Sequence, residues 1–430
     1  MKMRPRWVNM VPAMITVFFL GIGMPSGVGA AGFALLFHGA GETAMAGAAV
    51  AHVEGPAANF YNPALLADLP GKSLELSGSF IRPSGKFISS TTGRVDSREN
   101  KDFFVPAIFG GLQAGDRLTA GVGIFSSFGL GTYWPEEWEG RYLATDSELI
   151  TIHVNPNLAW KVTDRLTVAG GLDFLHGDAT LASRLNLSAF GLADGRQEIS
   201  GNGTAWGGNL GLLYRFSDHW AAGLSYRSAM DLDIEGDLTI TLPPNTPPAV
   251  AALLPSTPAE TVLKLPAQGF FGLAFAPTER LLLEAGGIWQ GWSRFKEIRI
   301  ELAQPVAGQQ TIVQEKGWRD SLVYNLGLKY QLLPAIAVSA GYMYMETPVP
   351  AATLEPSLIG ADVHLLTLGL QKRVDFKRLP GRGIFALSYL HEFIANRGKD
   401  NQVGAATGTT ANGLYKQDLH SINLSATWLY

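Results

Sequence analysis

The sequence predicts an all-β protein: a transmembrane antiparallel β-barrel of about fourteen strands, with an N-terminal helical hatch that plugs its lumen. Three observations support this fold class. Only 16% of the 430 residues are charged, whereas soluble domains usually carry about 25%. The sequence has no internal run of the roughly 18 apolar residues that a membrane-spanning helix needs. Most of the chain alternates apolar and polar residues, and a weakly charged chain of this kind fits lipid as a closed barrel.

The first thirty residues predict a secretory signal peptide. A positively charged start from Lys2 to Arg6 precedes an apolar run at 11–24, and small residues at 28–30 offer a cleavage site after Ala30. Cleavage removes cations and no acid from a chain whose formal net charge is −4. The mature chain is therefore more acidic still, and nucleic acid is not an expected partner.

Residues 31–72 predict the hatch. They are rich in Ala and Gly and lack the alternation of a strand. The run Asn62-Pro63-Ala64 is typical of a helix start, with Asn as the N-cap and Pro at the first helical position. From Ser73 to the end of the chain the pattern changes to period two, so we expect the barrel to span 73–430.

The last strand shows the pattern most clearly, because Ile422, Leu424 and Trp428 share one face and the chain stops on Tyr430. An alternating strand that ends on an aromatic residue resembles the C-terminal signal of outer-membrane barrels. The predicted strands are 73–82, 101–112, 118–130, 148–162, 166–187, 195–216, 219–240, 261–277, 280–302, 311–331, 335–346, 362–374, 382–396 and 416–430. An even count suits a bacterial barrel with both termini in the periplasm.

The connections divide into two kinds. The short polar breaks at 163–165, 217–219 and 277–279 predict periplasmic turns. The longer breaks at 84–100, 131–147, 241–260, 347–361 and 397–415 predict outer loops. Tryptophan and tyrosine near the strand ends, such as Trp134, Trp138 and Trp292, suggest either aromatic girdles at the interfaces or ordinary core packing.

The residues do not predict an enzyme. The chain has no Cys, which excludes Cys-ligated zinc and thiol catalysis, and its eight His show no H-E-x-x-H spacing. There is no G-x-S-x-G run, and Gly71-Lys72-Ser73 lacks the first glycine of a P-loop because position 66 is Leu. We therefore expect no catalytic residues, no metal and no cofactor.

An ordered set of short segments resembles one known family. The segments are Ala31-Gly32-Phe33, Asn62 to Leu65, Ser127 to Leu130, Asn155-Pro156, Leu224 to Ser228, Trp292 to Phe295, Trp318 to Asp320 and Thr347 to Pro350. Together they resemble the long-chain fatty acid transporter family of outer-membrane proteins, which includes the toluene and xylene uptake porins. The resemblance implies a capture groove between outer loops, a tighter inner pocket, and a gap in the wall at a kinked third strand.

The resemblance also implies roles for individual residues. Phe33 matches the N-terminal Phe that lies against the inner pocket, and Asn62, Pro63 and Ala64 match the hatch motif. The kink of the lateral gate would lie at Ser127, Phe128 and Gly129, where Gly121, Gly123 and Gly131 also permit a bend.

The cargo stays open at this point. Arg184, which alternation places facing inward, and Lys316 lie near the cations that receive a carboxylate in fatty-acid members, but neither aligns cleanly. Long-chain fatty acids are the first expectation, and a neutral aromatic hydrocarbon is the alternative. A structural or adhesive barrel that transports nothing and a porin for polar solutes also stay open.

The loop between Pro243 and Pro258 is unusually apolar. Val250, Leu253 and Leu254 lie there in a short helix-like piece, which suggests a capture surface or a helix packed on its neighbours. The expected partners are the hydrophobic cargo, outer-membrane lipid and lipopolysaccharide, and the barrel-assembly machinery. We expect a monomer in the outer membrane.

Overall fold

The structure is a computed structural model, and it describes residues 32–52, 54–376 and 380–430. The predicted signal peptide at 1–30 lies outside the described residues. Within the described part of the chain, no helix is both long enough and apolar enough to cross a membrane.

In the described residues, twenty-one strands form one antiparallel sheet. They are β1 Lys72–Ser89, β2 Val95–Ser97, β3 Phe103–Gln113, β4 Leu118–Phe125, β5 Gly129–Tyr133, β6 Asp146–Lys161, β7 Leu166–Leu185, β8 Gly195–Arg215, β9 Trp220–Arg227, β10 Met230–Thr241, β11 Thr257–Leu265, β12 Gln268–Thr278, β13 Leu281–Gln290, β14 Glu297–Val306, β15 Gln309–Glu315, β16 Ser321–Leu333, β17 Ile336–Met345, β18 Val363–Asp375, β19 Arg382–Ile394, β20 Arg397–Lys399 and β21 Gly413–Leu429. The last strand pairs with the first, from Ser73 opposite Leu429 to Ser89 opposite Gly413, and this pairing closes the barrel.

The barrel has fourteen spanning runs, as predicted. Five runs are each broken into two strands, namely β4 with β5, β9 with β10, β11 with β12, β13 with β14 and β15 with β16, while β2 and β20 are short additions at strand ends. The predicted end of the first strand at 82 was wrong. β1 continues to Ser89 because β21 offers pairing partners as far as Gly413, and β2 pairs back on it, so the predicted outer loop at 84–100 contains strand at 84–89 and 95–97.

The two faces of the wall have opposite character. On β21, Ile422 and Leu424 are each 48% exposed, whereas Ser421 and Asn423 are buried inside the barrel. An apolar outer face with a polar inner face is the reverse of a soluble protein and suits a wall surrounded by lipid.

The N-terminal segment, residues 32–52 and 54–71, lies inside the barrel. It contains α1 Ala40–Thr43, α2 Ala58–Tyr61 and a 3-10 helix at Pro63–Asp68. The side chain of Asn62 accepts a hydrogen bond from the backbone nitrogen of Ala64 at 3.1 Å, so the predicted helix start and its cap are confirmed. The helix itself is a 3-10 helix.

Polar residues of the inner wall bind the backbone of this segment. The carboxylate of Glu284 accepts hydrogen bonds from the nitrogens of Val50 at 2.6 Å and Ala51 at 3.0 Å. The hydroxyl of Thr367 donates to the carbonyl of Ala44 at 2.8 Å. These bonds satisfy backbone groups that have no sheet partner, which explains why polar side chains line the inner face.

Glycines let the segment approach the wall closely. A Cβ atom at Gly223 would lie 2.0 Å from the carbonyl oxygen of Val50, and one at Gly341 would lie 2.5 Å from the nitrogen of Ala46. Both contacts are with backbone, which cannot rotate away as a side chain can. The wall therefore requires glycine at these two positions if the segment is to keep its place.

Candidate ligand-binding site and wall opening

A cavity lies beside Phe33 inside the barrel. Its lining is Phe33, Leu130, Glu148, Leu149, Ala179, Leu181, Ile234, Thr261, Leu263, Phe295, Ile298, Gln314, Lys316, Trp318, Val349, Thr353, Glu355, Ser357 and Leu358. We call this space the Phe33 cavity. Most of its lining is aliphatic or aromatic, which is typical of a site for an apolar ligand.

Phe33 is the centre of an aromatic cluster. Its ring lies 4.7 Å from that of Trp292 and 5.7 Å from that of Phe295, measured between centroids, with Phe128 at 6.0 Å and Trp318 at 5.8 Å. Most of these pairs meet edge to face, the arrangement that aromatic rings prefer. Trp292 is therefore core, not part of an interfacial girdle, and it helps to hold Phe33 at the cavity.

Lys316 shares the Phe33 cavity, but its charge is already paired. The Lys316 ammonium forms an ion pair with the carboxylate of Glu355, and their side chains are 6% and 16% exposed. Glu355 also accepts a hydrogen bond from the hydroxyl of Ser357 at 2.7 Å. The third charged residue of the described lining, Glu148, accepts a hydrogen bond from the hydroxyl of Tyr133 at 2.5 Å. A negatively charged ligand therefore meets two carboxylates and a cation that is already engaged.

The predicted inward orientation of Arg184 was wrong. Leu181 lines the Phe33 cavity, and Arg184, three residues along the same strand, projects from the other face. Its guanidinium pairs with the carboxylate of Glu136 at 3.0 Å and donates to the carbonyl of Asp194 at 2.9 Å. Arg184 thus joins outer loops to each other and lies apart from Lys316.

The apolar loop residues also lie apart from the cavity. A short helix, α3 Pro248–Ala251, forms between the prolines, as the sequence suggested. Val250 is buried and Leu253 is 54% exposed. The carbonyl of Leu253 accepts a hydrogen bond from the nitrogen of Ala307 at 2.7 Å, so this loop packs on the turn between β14 and β15. The structure does not bring these residues or Leu254 together with Phe33 and Lys316.

The third spanning run is broken at the predicted kink. β4 ends at Phe125 and pairs with both β3 and β6, whereas β5, which starts at Gly129, pairs with β6 alone among the described strands. Residues 103–107 of β3 pair with β1 on one side only. The wall ladder is therefore open between the first half of β3 and β5, and we call this gap the wall opening.

The N-terminal segment is hydrogen-bonded into the break. The nitrogen of Leu35 donates to the carbonyl of Ser127 at 2.8 Å, and the nitrogen of Gly129 donates to the carbonyl of Phe33 at 2.8 Å. The hydroxyl of Thr151 donates to the carbonyl of Phe128 at 2.6 Å and holds the irregular turn. The predicted kink residues and the predicted pocket residue Phe33 thus meet in one place.

Phe103 covers part of the wall opening. A Cβ atom at Gly131 would lie 2.5 Å from the Phe103 ring, and the rings of Phe103 and Tyr133 stack at 6.3 Å. Sequence reasoning missed Phe103, because it continues the normal alternation of its strand and carries no motif. Only the strand pairing shows that it stands at a gap.

A second cavity lies on the other side of the segment that carries Phe33. Residues 34–37 form one wall, and Val105, from the unpaired half of β3, forms another part of the lining. Glu392 also lines it and is 5% exposed, with one carboxylate oxygen that has no hydrogen-bond partner. Residues 33–37 therefore separate two cavities, and the second one reaches the strand beside the wall opening.

Comparison with known proteins finds one matching family and several relatives of similar sequence. The family model described as "Outer membrane protein transport protein (OMPP1/FadL/TodX)" matches residues 25–380. A 47 kDa outer membrane protein of Pasteurella multocida is 25% identical over 308 residues, which are 66% of this chain and 70% of that protein. A long-chain fatty acid transport protein of Escherichia coli O6:H1 is 23% identical over 340 residues, which are 72% of this chain and 76% of that protein.

Solved structures show the same fold. A Pseudomonas aeruginosa FadL homologue superimposes with a TM-score of 0.81 at 19% identity, covering 93% of this chain and 100% of the homologue. The Ralstonia pickettii toluene transporter TbuX gives a TM-score of 0.71 at 20% identity, covering 92% and 99% of the two chains.

Proposed function

Because the chain belongs to the OMPP1/FadL/TodX family of outer-membrane transport proteins, we propose that it carries hydrophobic compounds by holding them in the Phe33 cavity and releasing them sideways at the wall opening. Members of this family are outer-membrane channels for hydrophobic compounds and not enzymes. In this proposal the N-terminal segment is the hatch, a single chain suffices for transport, and the barrel-assembly machinery inserts the chain among outer-membrane lipid and lipopolysaccharide.

The observation that carries the proposal is the position of the break. The wall ladder is interrupted where the segment bearing Phe33 is hydrogen-bonded to Ser127 and Gly129. An apolar solute gains about 25 cal/mol for each Å² of surface kept from water. A route from an apolar cavity through the wall into lipid keeps that gain, whereas a water-filled pore along the barrel axis loses it.

The charges of the cavity favour a neutral cargo, such as an aromatic hydrocarbon. Lys316 is the one cation in the described lining, and Glu355 neutralises it. A carboxylate cargo would have to displace Glu355 and leave that acid unpaired in a buried place, which is costly. Toluene carries no charge and imposes no such cost.

Long-chain fatty acids are the second candidate, favoured by one feature of the cavity and by the names of relatives. Lys316 stands beside Phe33 in the cavity lining, where it would meet a carboxylate if Glu355 moved away. Several curated relatives are themselves named long-chain fatty acid transport proteins.

Whole-cell uptake separates the candidates. Cells that lack other transporters of this type are given radiolabelled toluene or oleate, with and without this protein in the outer membrane. We expect the protein to raise toluene uptake more than oleate uptake. If the protein raises the uptake of oleate alone, the cargo is a fatty acid and the proposal of a neutral cargo is wrong. No rise for either compound, with the barrel assembled, would refute transport and leave a structural or adhesive barrel.

A further inference from the structure

A polar cluster lies on the outward face of two neighbouring strands, on the opposite side of the wall from the second cavity. His391 on β19 stands directly opposite His420 on β21, and Asp418 lies two residues from His420 on the same face. The residues beside them in sequence, Leu390 and Leu419, are buried inside the barrel. By alternation the two histidines and the aspartate therefore point away from the lumen.

The cluster stands at the edge of the apolar band. From the C-terminal end of β21, the outward positions are apolar through Leu424 and Ile422, each 48% exposed, and become polar at His420. On the adjoining β1 the same change occurs at Arg82, the register partner of His420. This end of the barrel is remote from the C-terminus, which is predicted to lie in the periplasm. The cluster thus occupies the level at which the wall leaves lipid chains and meets headgroups.

The spacing of the side chains suits one metal ion. One ligand atom from each of His391, Asp418 and His420 can be chosen so that all lie within 4.8 Å of one another. The Nε2 atom of His391 is 3.4 Å from one Asp418 oxygen, and the Nε2 atom of His420 is 2.9 Å from the other. Ligand atoms around a tetrahedral zinc ion with bonds near 2.1 Å are about 3.4 Å apart. Small rotations of the side chains are enough to reach that geometry.

A neighbouring tyrosine orients one of the imidazoles. The hydroxyl of Tyr389 lies 2.6 Å from the Nδ1 atom of His420. The Nδ1 atom of His391 also lies 2.9 Å from this Nδ1 atom. If Nε2 of His420 binds a metal, its Nδ1 carries the proton and donates it to the Tyr389 hydroxyl, and the His391 ring must rotate so that two N–H donors do not face each other. Metal-bound histidines usually have such a partner on their second nitrogen.

We propose that His391, Asp418 and His420 form a site for a divalent transition metal, with Zn²⁺ as the best match. Two imidazoles and one carboxylate suit Zn²⁺, Cu²⁺ or Ni²⁺ better than Mg²⁺ or Ca²⁺, which prefer oxygen ligands. The three ligands sit on strands that the barrel hydrogen bonds hold in register, so their backbone positions are fixed before the metal arrives. Three protein ligands leave a fourth position open toward the headgroup layer.

Titration with zinc tests the site directly. The full chain, purified in detergent through a tag without histidine, is titrated calorimetrically with ZnCl₂. We expect one ion per chain, and His391→Ala and His420→Ala should each weaken binding at least about tenfold. His364→Ala is the matched control, because His364 also faces outward but bonds to Tyr342 outside the cluster, and its zinc affinity should be unchanged.

Two results would overturn the site. One is the absence of zinc binding by the folded chain, with folding checked by the heat-dependent gel mobility typical of barrels. The other is zinc binding that survives the double substitution of His391 and His420 by alanine. Electron paramagnetic resonance of the Cu²⁺ form gives a second reading, because two coordinating nitrogens produce a characteristic splitting. Toluene uptake by these variants should be unchanged, so the zinc result stands whether or not the transport proposal does.

Discussion

Replacing Glu355 by glutamine should change the cargo preference of the Phe33 cavity. Glu355 pairs with Lys316, and both side chains are largely buried, at 16% and 6% exposure. Breaking a buried pair from one side leaves an unpaired charge and costs about 3–5 kcal/mol. In Glu355→Gln the free lysine becomes a receptor for an anion, and a charge-assisted hydrogen bond to a carboxylate contributes about 1.5–3 kcal/mol. That range corresponds to roughly 10- to 150-fold in affinity.

The assay compares ligand affinity in purified wild type and Glu355→Gln. Oleate should bind the variant at least about tenfold more tightly, while toluene, which has no charge, should bind both proteins equally. Oleate should also restore the stability that the unpaired lysine removes, because a ligand of the folded state raises its unfolding free energy. Equal oleate affinity in both proteins would refute the role of the Lys316–Glu355 pair. Weaker binding of both ligands would show a general disturbance of the cavity.

Two further substitutions test other parts of the account. Gly223→Ala places a methyl group 2.0 Å from the carbonyl oxygen of Val50 and should displace the N-terminal segment, which would raise ion conductance in planar bilayers. Gly269→Ala is the control, because its methyl group would meet only a ring atom of Trp289 at 3.6 Å, and its conductance should stay low. Equal conductance in both variants would contradict the close fit of the N-terminal segment against the wall. Glu392→Leu removes a buried carboxylate with an unpartnered oxygen. The urea concentration at the midpoint of unfolding should therefore stay the same or rise. A decrease in the free energy of unfolding of more than about 2 kcal/mol would show that this carboxylate has a stabilising partner.

The alternation of the sequence predicts the wall because it reports directly which side of a strand each residue faces. Ile422 and Leu424 are both exposed because residues two apart in a strand lie on the same face, here the outer one. The Asn62 cap could also be predicted from the sequence, because a capping hydrogen bond joins residues only two apart. The local sequence pattern therefore predicts the strands, their number and the start of the 3-10 helix.

Features that depend on strand pairing could not be obtained this way. Alternation placed Arg184 inward because the apolar face of its strand was taken to meet lipid, but near this end of β7 the apolar Ala179 and Leu181 line the inner cavity and the polar face is the outer one. The breaks, such as the one at 126–128, interrupt spanning runs for too few residues to leave a periodic signal. The Lys316–Glu355 pair joins residues 39 apart in sequence and the His391–His420 pair joins residues 29 apart, so neither pair leaves a local pattern in the sequence.

Lateral exit is tested most directly by tying the wall opening shut. The chain has no cysteine, so Phe103→Cys with Gly131→Cys gives one defined pair at positions that touch across the gap. The pair is joined on cells by a reversible thiol cross-linker, and toluene uptake is measured before and after reduction, with each single variant as control. The account expects uptake to fall in the cross-linked protein alone and to return when the link is reduced. Full uptake by a completely cross-linked barrel would contradict sideways release at this opening.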